Sequence, residues 1–255
     1  MYDVPTLFQS DNASPSSRAL KIVLFGATGN VGRRIASEAL DRGYEVLGVV
    51  RDPAHTHAPD SRLRLVEGDA TDAASVRRVA QGADVVVSAI SPRPDPHGLP
   101  APSLASAARA LIAGTREAGV RRLVVVGGAS TLEVSRGVRL VDTDAVPEAF
   151  RPEALEHADA LAVFGAEGGD LDWVVLRPAA NFHPGERSAT YRTTDDELPV
   201  DREGQSQISF EDYAVALVDE LDQPKHHREA YGVGAAANSD SAEPDETGSS
   251  SPPGS

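Results

Sequence analysis

The chain has 255 residues, and its 24 Lys and Arg against 39 Asp and Glu give a formal net charge of −15. A surface this acidic repels phosphate backbones, so general nucleic-acid binding is not expected. The absence of cysteine excludes disulfide scaffolds, thiol catalysis and Cys-ligated metal sites. A hydrophobic content of 40% allows a sizeable core and excludes global disorder.

Both ends of the chain lack the pattern of a folded segment. Residues 1–20 are rich in Ser, Asp, Asn and Pro and show no periodicity, which predicts a flexible leader. Residues 235–255 contain small, polar, acidic and proline residues alone, too little apolar surface to offset the entropy of ordering, so we expect a disordered acidic tail. No stretch approaches the roughly 18 to 20 apolar residues of a membrane span. We therefore expect a soluble, cytoplasmic protein with no membrane partner.

Six short apolar runs rich in β-branched residues punctuate the region between these ends. They are nearly continuous rather than alternating, a pattern typical of strands buried on both faces. The runs are 22–25, 46–50, 63–66, 85–87, 123–126 and 173–176, followed by a short final strand at 230–233.

Five helices are predicted among these strands, at 31–42, 72–81, 103–118, 152–166 and 209–221. The last is predicted to begin after Ser209 as its N-cap, with Asp212 at the third helical position. Strands that alternate with helices imply right-handed βαβ units. The sequence therefore predicts an α/β fold, a single doubly wound parallel sheet in one domain over residues 21–234.

The first strand runs directly into Gly26-Ala27-Thr28-Gly29-Asn30-Val31-Gly32, after which a helix begins. Gly26 suits a tight turn, Gly29 lets the backbone approach a pyrophosphate, and Gly32 allows close helix–strand packing. The helix N-terminus then offers N–H groups and partial positive charge to the phosphates. In this strand–turn–helix context the motif indicates a Rossmann-type dinucleotide site. The alternative is a structural turn that holds no ligand.

Two further residues bear on which dinucleotide is bound. Arg51 is the first residue after the second apolar run, where an arginine accommodates the 2′-phosphate of NADP. We therefore expect NADP(H), with NAD the less favoured cofactor; the alternative is that Arg51 pairs with Asp52 or solvent. Asp69, at the end of the third strand, could accept a hydrogen bond from the adenine amino group. It could equally cap the helix that begins near Asp72.

Taken together, these segments resemble the atypical short-chain dehydrogenase/reductase superfamily, in particular its NmrA-like and biliverdin/flavin reductase-like NAD(P)H-binding proteins. The resemblance covers residues 21–233. It rests on GATGNVG after KIVLF, then VVRDP, GDATD, residues 85–90 and VVVGG, and on the later SATYR and ISFEDYAVALVDEL segments. It implies an NAD(P)-binding Rossmann fold.

The resemblance also implies roles for individual positions. Arg51 would take the 2′-phosphate and Asp69 the adenine, while Ala89 and Ile90 would lie near the adenine-side ribose. The loop after Arg177-Pro178 would approach the nicotinamide. The residues that would hold the diphosphate are Gly26, Thr28, Gly29, Asn30, Val31 and Gly32.

The chain departs from the superfamily at the catalytic positions. Conventional members use a Tyr-x-x-x-Lys pair, in which Lys lowers the pKa of Tyr. Here the residues four beyond the five tyrosines are Thr6, Gly48, Asp195, Leu217 and Ala235, and none is Lys. The usual Ser after the fifth strand is replaced by Gly127-Gly128-Ala129, with Ser130 displaced.

Four other polar groups follow the carboxyl ends of predicted strands or lie nearby, where ligands bind in open α/β sheets. Ser130, Arg93, His183 and Tyr191 are therefore predicted to surround a substrate. The alternatives are that His183 is a surface loop histidine and that Tyr191 packs in a β-segment.

The long segment 127–152 is predicted to line the substrate side, and the alternative is ordinary packing. Its apolar wall would consist of Leu132, Val134, Leu140 and Phe150. The seven histidines do not form a metal-ligand pattern, so no metal site is expected.

Hydride transfer does not itself require the missing pair, because the cofactor supplies the chemistry. We therefore expect an NADPH-dependent oxidoreductase, a monomer or weak homodimer, that transfers hydride to a small or aromatic apolar acceptor such as a quinone, flavin, enone or carbonyl. The alternatives are an NmrA-like regulator that senses NADP without turnover, and a cofactor-bound epimerase or isomerase.

Overall fold

The computed structural model describes residues 19–54, 56–93 and 100–236. The predicted leader and acidic tail therefore lie outside the described residues, apart from residues 19, 20, 235 and 236.

Twelve strands occur among the described residues, and eight of them form one sheet in the order β10-β12-β8-β5-β4-β1-β2-β3. The other four form two small sheets of two strands each, β9 with β11 and β6 with β7. The strands are β1 (Lys21–Phe25), β2 (Glu45–Val50), β3 (Arg64–Glu67), β4 (Val85–Ser88), β5 (Arg122–Val126), β6 (Glu133–Ser135), β7 (Val138–Arg139), β8 (Asp172–Pro178), β9 (Asn181–His183), β10 (Tyr191–Thr194), β11 (Gln207–Ser209) and β12 (Glu229–Ala235).

The predicted α/β architecture is confirmed, but the large sheet is not wholly parallel. Strand β10 runs antiparallel to β12, with Tyr191 opposite Ala235. The connection from β8 to β10 spans residues 179–190 and contains no helix. Because no helix carries the chain back along the sheet after β8, β10 starts from the edge where β8 ends and runs opposite to β8 and to its neighbour β12. The prediction of a purely parallel sheet was wrong at this edge.

Helices cover both faces of the sheet. Helices α1 (Gly32–Asp41) and α5 (Phe210–Asp222) pack on one face, where Ile35 and Tyr213 are fully buried. Helices α2 (Ala73–Ala80), α3 (Leu104–Glu117) and α4 (Arg151–Glu167) pack on the other. Strands β1, β2, β4 and β8 are buried from both sides, which is why they appeared as continuous hydrophobic runs. The edge strand β3, predicted to be buried in the same way, has exposed ends and a half-buried middle.

The helix boundaries follow their caps. The side chains of Asp72, Ser103 and Ser209 accept hydrogen bonds from backbone N–H groups two or three residues later, at the starts of α2, α3 and α5. Ser209 Oγ accepts from Asp212 N at 2.9 Å, which confirms the predicted cap of the last helix. Such a bond satisfies one of the N–H groups that the first turn of a helix leaves unpaired.

Candidate functional site

The turn between β1 and α1 leaves no room for side chains at two of its glycines. Gly26 has a φ of +76°, and a Cβ there would lie 2.6 Å from the backbone oxygen of Ala89. A Cβ on Gly32 would lie 2.0 Å from the oxygen of Gly26. Both positions require glycine for the turn itself, which was predicted for Gly26; Gly32 was predicted to be glycine for close packing of the helix on the strand, and its Cβ would meet the backbone of Gly26 and Ala27 just after β1.

Gly29 differs from Gly26 and Gly32, the other two glycines of the motif. Its φ is not in the left-handed region, and a Cβ would come 3.3 Å from the oxygen of Gly26, a contact that a small backbone adjustment relieves. The residue is exposed, as is Asn30, while Thr28 and Val31 are half-buried. The backbone at Gly29 is thus open to a ligand from outside the fold.

Helix α1 presents an unneutralised N-terminus at this turn. Its cap residue, Val31, makes no side-chain capping bond, and the first turn contains no acidic residue. The partial positive charge of the helix end therefore meets no carboxylate from that turn. An exposed glycine backbone next to such a helix end fits a diphosphate, which supplies the negative charge and the acceptor oxygens.

The end of β4 closes one side of the turn. Ala89 N donates to Phe25 O at 2.9 Å. A Cβ on Gly26 would clash with the backbone of Ala89 and Ile90. The structure therefore brings these two sequence-predicted positions against the glycine turn. Both are half-buried.

The other two predicted cofactor residues follow β2 and β3. Arg51 is half-buried, and its Nη1 donates to Pro100 O at 2.8 Å. Asp69 is exposed; its Oδ1 accepts from Thr71 N at 2.8 Å and from Thr71 Oγ1 at 2.7 Å. The capping bond of α2 comes from Asp72 instead, so the alternative role of Asp69 as the helix cap is not observed.

Two of the four predicted substrate groups hold the first turn of α4. Ser130 is buried, and its hydroxyl donates to Ala154 O at 3.0 Å. Arg93 forms a two-pronged pair with Glu153, with Nε 2.9 Å from Oε2 and Nη2 3.0 Å from Oε1. Both side chains thus fix the backbone or a side chain of α4.

The other two groups lie elsewhere. His183 is half-buried in β9, with Nδ1 2.9 Å from Pro184 O. Tyr191 lies in β10 and donates to Asp219 Oδ2 of α5 at 2.7 Å. Burial and that carboxylate raise the pKa of the Tyr191 phenol above its ordinary range. Among the described residues, no hydrogen bond or ion pair joins these four groups to one another.

The four residues of the predicted apolar wall in segment 127–152 differ in burial. Val134 and Phe150 are 44% and 56% exposed. Val134 lies in the β6–β7 hairpin at the surface, whereas Leu132 just before it is fully buried. The segment therefore covers the core through Leu132 and Val141, leaves Val134 and Phe150 exposed, and holds Leu140 half-buried.

A pocket that sequence reasoning missed lies between α3, α4 and the carboxyl ends of β4 and β5. Its space is about 370 Å³, including the part open to solvent. Two polar side chains, Ser88 and His157, belong to an otherwise apolar lining. The lining is Ser88, Ile90, Leu104, Ala107, Ala108, Leu111, Val125, Val126, Gly127, His157, Ala160, Leu161, Phe164 and Val175.

His157 packs directly on the backbone after β5. A Cβ on Gly128 would lie 2.6 Å from Cγ of His157 and 2.7 Å from Cδ2, so the ring occupies the space of a side chain at that position. Burial lowers the pKa of the His157 imidazole. The paired glycines Gly127-Gly128 were the one sequence signal of this contact, since adjacent glycines after a strand permit another group to approach closely.

None of the helices in the described part of the chain is long and apolar enough to cross a membrane. Within the same residues, no group of three or more His, Cys, Asp or Glu side chains could hold a metal ion.

Comparison with known proteins identifies the family. The model of the NAD(P)H-binding family matches residues 26–224. The uncharacterized protein YwnB of Bacillus subtilis (strain 168) is 34% identical over 217 residues, which is 84% of this chain and 98% of YwnB.

Three solved structures share the fold at similar coverage. A candidate exported protein of Burkholderia pseudomallei is 44% identical with a TM-score of 0.74, over 84% of this chain and 99% of that one. A candidate epimerase of Bacteroides thetaiotaomicron is 37% identical with a TM-score of 0.77, over 87% and 100%. A candidate NADH-flavin reductase of Streptococcus pneumoniae TIGR4 is 29% identical with a TM-score of 0.72, over 86% and 100%.

These matches agree with the resemblance to the atypical short-chain dehydrogenase/reductase superfamily. With the glycine turn and the mostly parallel sheet, they establish that the chain belongs to the NAD(P)H-binding family.

Proposed function

We propose that this protein is an NADPH-dependent oxidoreductase that transfers hydride to a small or aromatic apolar acceptor, without a Tyr-x-x-x-Lys pair. The observation that carries the proposal is the β1–α1 turn, where side chains are excluded at Gly26 and Gly32 and the backbone is open at Gly29. The turn itself requires Gly26 and Gly32, but a plain βα connection has no need of a third glycine at the exposed position 29. The nicotinamide would supply the redox chemistry when bound.

The chain's own residues would bind and orient the cofactor. The backbone from Gly26 to Gly32 and the N-terminus of α1 would hold the diphosphate, with Thr28, Asn30 and Val31 in the same turn. Ala89 and Ile90 would lie against the ribose on the adenine side, and Asp69 would meet the adenine. His183, just after β8, would lie on the nicotinamide side.

Steady-state oxidation of NADPH tests the redox part of the proposal. With a panel of quinones, flavins, enones and carbonyls, we expect loss of NADPH absorbance with at least one apolar acceptor. Tight NADPH binding with no turnover across the panel would contradict an oxidoreductase and favour an NADP-sensing regulator. Epimerisation without net oxidation would favour the isomerase alternative, which the epimerase-like neighbour from Bacteroides thetaiotaomicron supports.

The preference for NADPH over NADH is assigned to Arg51. Replacing Arg51 with Ala is expected to raise the Kd for NADPH about tenfold or more, because a hydrogen bond to a charged phosphate contributes about 1.5–3 kcal/mol. The Kd for NADH should stay unchanged, since NADH carries no 2′-phosphate. Fluorescence titration measures both constants. Arg136→Ala, at an exposed position in the β6–β7 turn, is the matched control. An unchanged NADPH affinity in Arg51→Ala would show that the assignment is wrong.

A further inference from the structure

The carbonyl of Asn30, in the glycine turn of residues 26–32, is held by a side chain rather than by the backbone of the helix. Arg33 N donates to Gly29 O at 3.1 Å. Arg34 N donates to Val31 O at 3.0 Å, so neither amide bonds to Asn30 O. The guanidinium of Arg34 supplies the donor instead, with Nη1 2.8 Å from Asn30 O. Arg34 thereby fixes the peptide that joins Asn30 to Val31.

The orientation of that peptide decides which polar group is offered to a ligand. In a planar trans peptide the C=O and the N–H point in opposite directions. Because Asn30 O faces Arg34, Val31 N–H points the other way, and within the described part of the chain it donates to no acceptor. If the peptide flipped, the carbonyl oxygen would replace this donor and would repel a phosphate. The bond from Arg34 thus keeps a donor, and not an acceptor, available at the turn.

Arg34 is itself held on two other sides. Its Nε donates to Glu211 Oε1 at 2.8 Å, and its Cζ lies 5.3 Å from the centroid of the Phe210 ring. Phe210 in turn packs edge-on against Phe182 of β9, with ring centroids 4.6 Å apart. The side chains of Arg34 and Glu211 are 19% and 20% exposed, so salt screens this pair less than a pair at the open surface. These contacts give the guanidinium one defined position.

Glu211 connects Arg34 to the loop after β9, residues 184–190. Its second oxygen, Oε2, accepts from Gly185 N at 2.8 Å. Burial raises the pKa of the Glu211 carboxyl, but the bonds from Gly185 and Arg34 outweigh burial and leave that pKa below its ordinary value. The carboxyl is therefore ionised at neutral pH, and each of its oxygens holds a different part of the chain.

The same loop is anchored at further points, so it can hold Glu211 in place. The carboxylate of Asp212 in α5 accepts from two groups of the loop, each at 2.7 Å. Arg187 of the loop forms a two-pronged pair with Glu38 of α1, with N–O distances of 2.8 and 2.9 Å. The loop is thus fixed to α1 and to α5 independently of Glu211.

A carboxylate this close to the proposed diphosphate site is unfavourable on charge alone, because like charges repel. We propose that Glu211 and Arg34 are positioning residues that lock the Asn30–Val31 peptide with its N–H towards the diphosphate; this inference rests on the proposed function. Both side chains act through the backbone of the turn and not by contact with the cofactor. The lock removes the cost of orienting the peptide during binding, and so it raises affinity.

A role through charge and a role as a lock predict opposite effects of removing the Glu211 charge. If the pair acted through charge, Glu211→Gln would tighten NADPH binding, because a negative charge near the phosphates is lost. If it acts as a lock, Glu211→Gln weakens binding. The amide has one oxygen, so its NH₂ group would face a second donor, either Gly185 N or Arg34 Nε. A turn that keeps the donor orientation for about a tenth of the time binds about tenfold more weakly.

The experiment compares wild type with Glu211→Gln and Arg34→Gln, after circular dichroism has established that each variant is folded. Glu186→Gln is the matched control: it removes an exposed carboxylate of the same loop, whose side chain makes no hydrogen bond or ion pair among the described residues. Fluorescence titration gives the Kd for NADPH. NMR relaxation dispersion of the backbone amides of Asn30 and Val31 is measured on the free proteins, before any cofactor is added.

We expect Glu211→Gln to bind NADPH about tenfold more weakly, Arg34→Gln to lose at least as much, and Glu186→Gln to lose no affinity. In both weakened variants the amides of Asn30 and Val31 should show microsecond-to-millisecond exchange that wild type and Glu186→Gln lack. The inference is overturned if folded Glu211→Gln binds NADPH as tightly as wild type or more tightly, or if its two amides exchange as in wild type. If Glu211→Gln does not fold, amide exchange in Arg34→Gln decides in the same way. Absence of NADPH binding to wild type would overturn the proposed function, whereas the amide exchange tests the lock without cofactor.

Discussion

Replacing Gly29 with alanine is expected to weaken NADPH binding by about a hundredfold or more while the protein stays folded. The added Cβ would come 3.3 Å from Gly26 O, which a small shift of the turn relieves. The same methyl group projects from an exposed position where the diphosphate must approach the backbone. Two lost charge-assisted hydrogen bonds of about 1.5 kcal/mol each account for a change of this size.

The control for this variant is Gly165→Ala on the exposed side of α4, where a Cβ meets nothing within 4 Å. It should leave the NADPH Kd unchanged and stabilise the helix by about 0.5–1 kcal/mol. Circular dichroism establishes that both variants are folded, and calorimetry gives their affinities. Wild-type affinity in a folded Gly29→Ala protein would remove this backbone from the cofactor site.

Replacing Arg177 with methionine is expected to lower the free energy of unfolding by about 3 kcal/mol or more, the sum of two hydrogen bonds of a charged donor at about 1.5 kcal/mol each. The guanidinium is 2% exposed, and its Nη2 donates to Asp195 O at 2.7 Å and Ala230 O at 2.8 Å. It thereby connects the end of β8 to the loop after β10 and to β12. Removal takes the charged donor away from Ala230 O and from Thr131 O, which Nη1 approaches at 3.4 Å, whereas Asp195 O keeps its bond from Gly232 N. Losing hydrogen bonds of a charged donor in the interior costs more than an exposed ion pair contributes.

Urea unfolding at pH 7 with linear extrapolation measures the effect of Arg177→Met. Arg139→Met is the matched control, because the Arg139–Asp142 pair is about half exposed on both sides. Exposed pairs of this kind contribute about 0–1 kcal/mol. Equal losses in the two variants would show that Arg177 contributes no more than a surface ion pair, contrary to the account of its buried contacts.

Much of the fold was predictable because its signals are local. Each apolar run that is buried on both faces gave a strand to within two residues at either end, and polar caps such as Ser103 and Ser209 fixed helix starts. Strand β10 was not among the predicted strands of the sheet, although the alternative for Tyr191 placed that residue in a β-segment, because YRTT is an edge strand with mostly polar side chains. Strands β6, β7, β9 and β11 have two or three residues each, too few to form a periodic pattern.

The candidate site was likewise predictable only where its residues are contiguous in the sequence. The glycine turn is contiguous in the sequence, so its geometry could be predicted from seven residues. The pocket is assembled from Ser88, Leu104, Gly127 and His157, which are far apart in the chain. His157 lies in an ordinary helical run with no motif. Its proximity to Gly128 depends on how α4 packs on β5, which local patterns do not specify.

The central claim is that the β1–α1 turn binds the diphosphate of a nicotinamide dinucleotide. Calorimetric titration of the full chain with NADPH tests this claim most directly. The titration is repeated at two temperatures, so that binding that releases no heat at one of them is detected at the other. We predict saturable binding of one NADPH per chain, weaker binding of NADH, and binding of NADPH about a hundredfold weaker or more in Gly29→Ala. No association of the wild-type protein with NADPH, NADP⁺, NADH or NAD⁺ at millimolar concentration would contradict it.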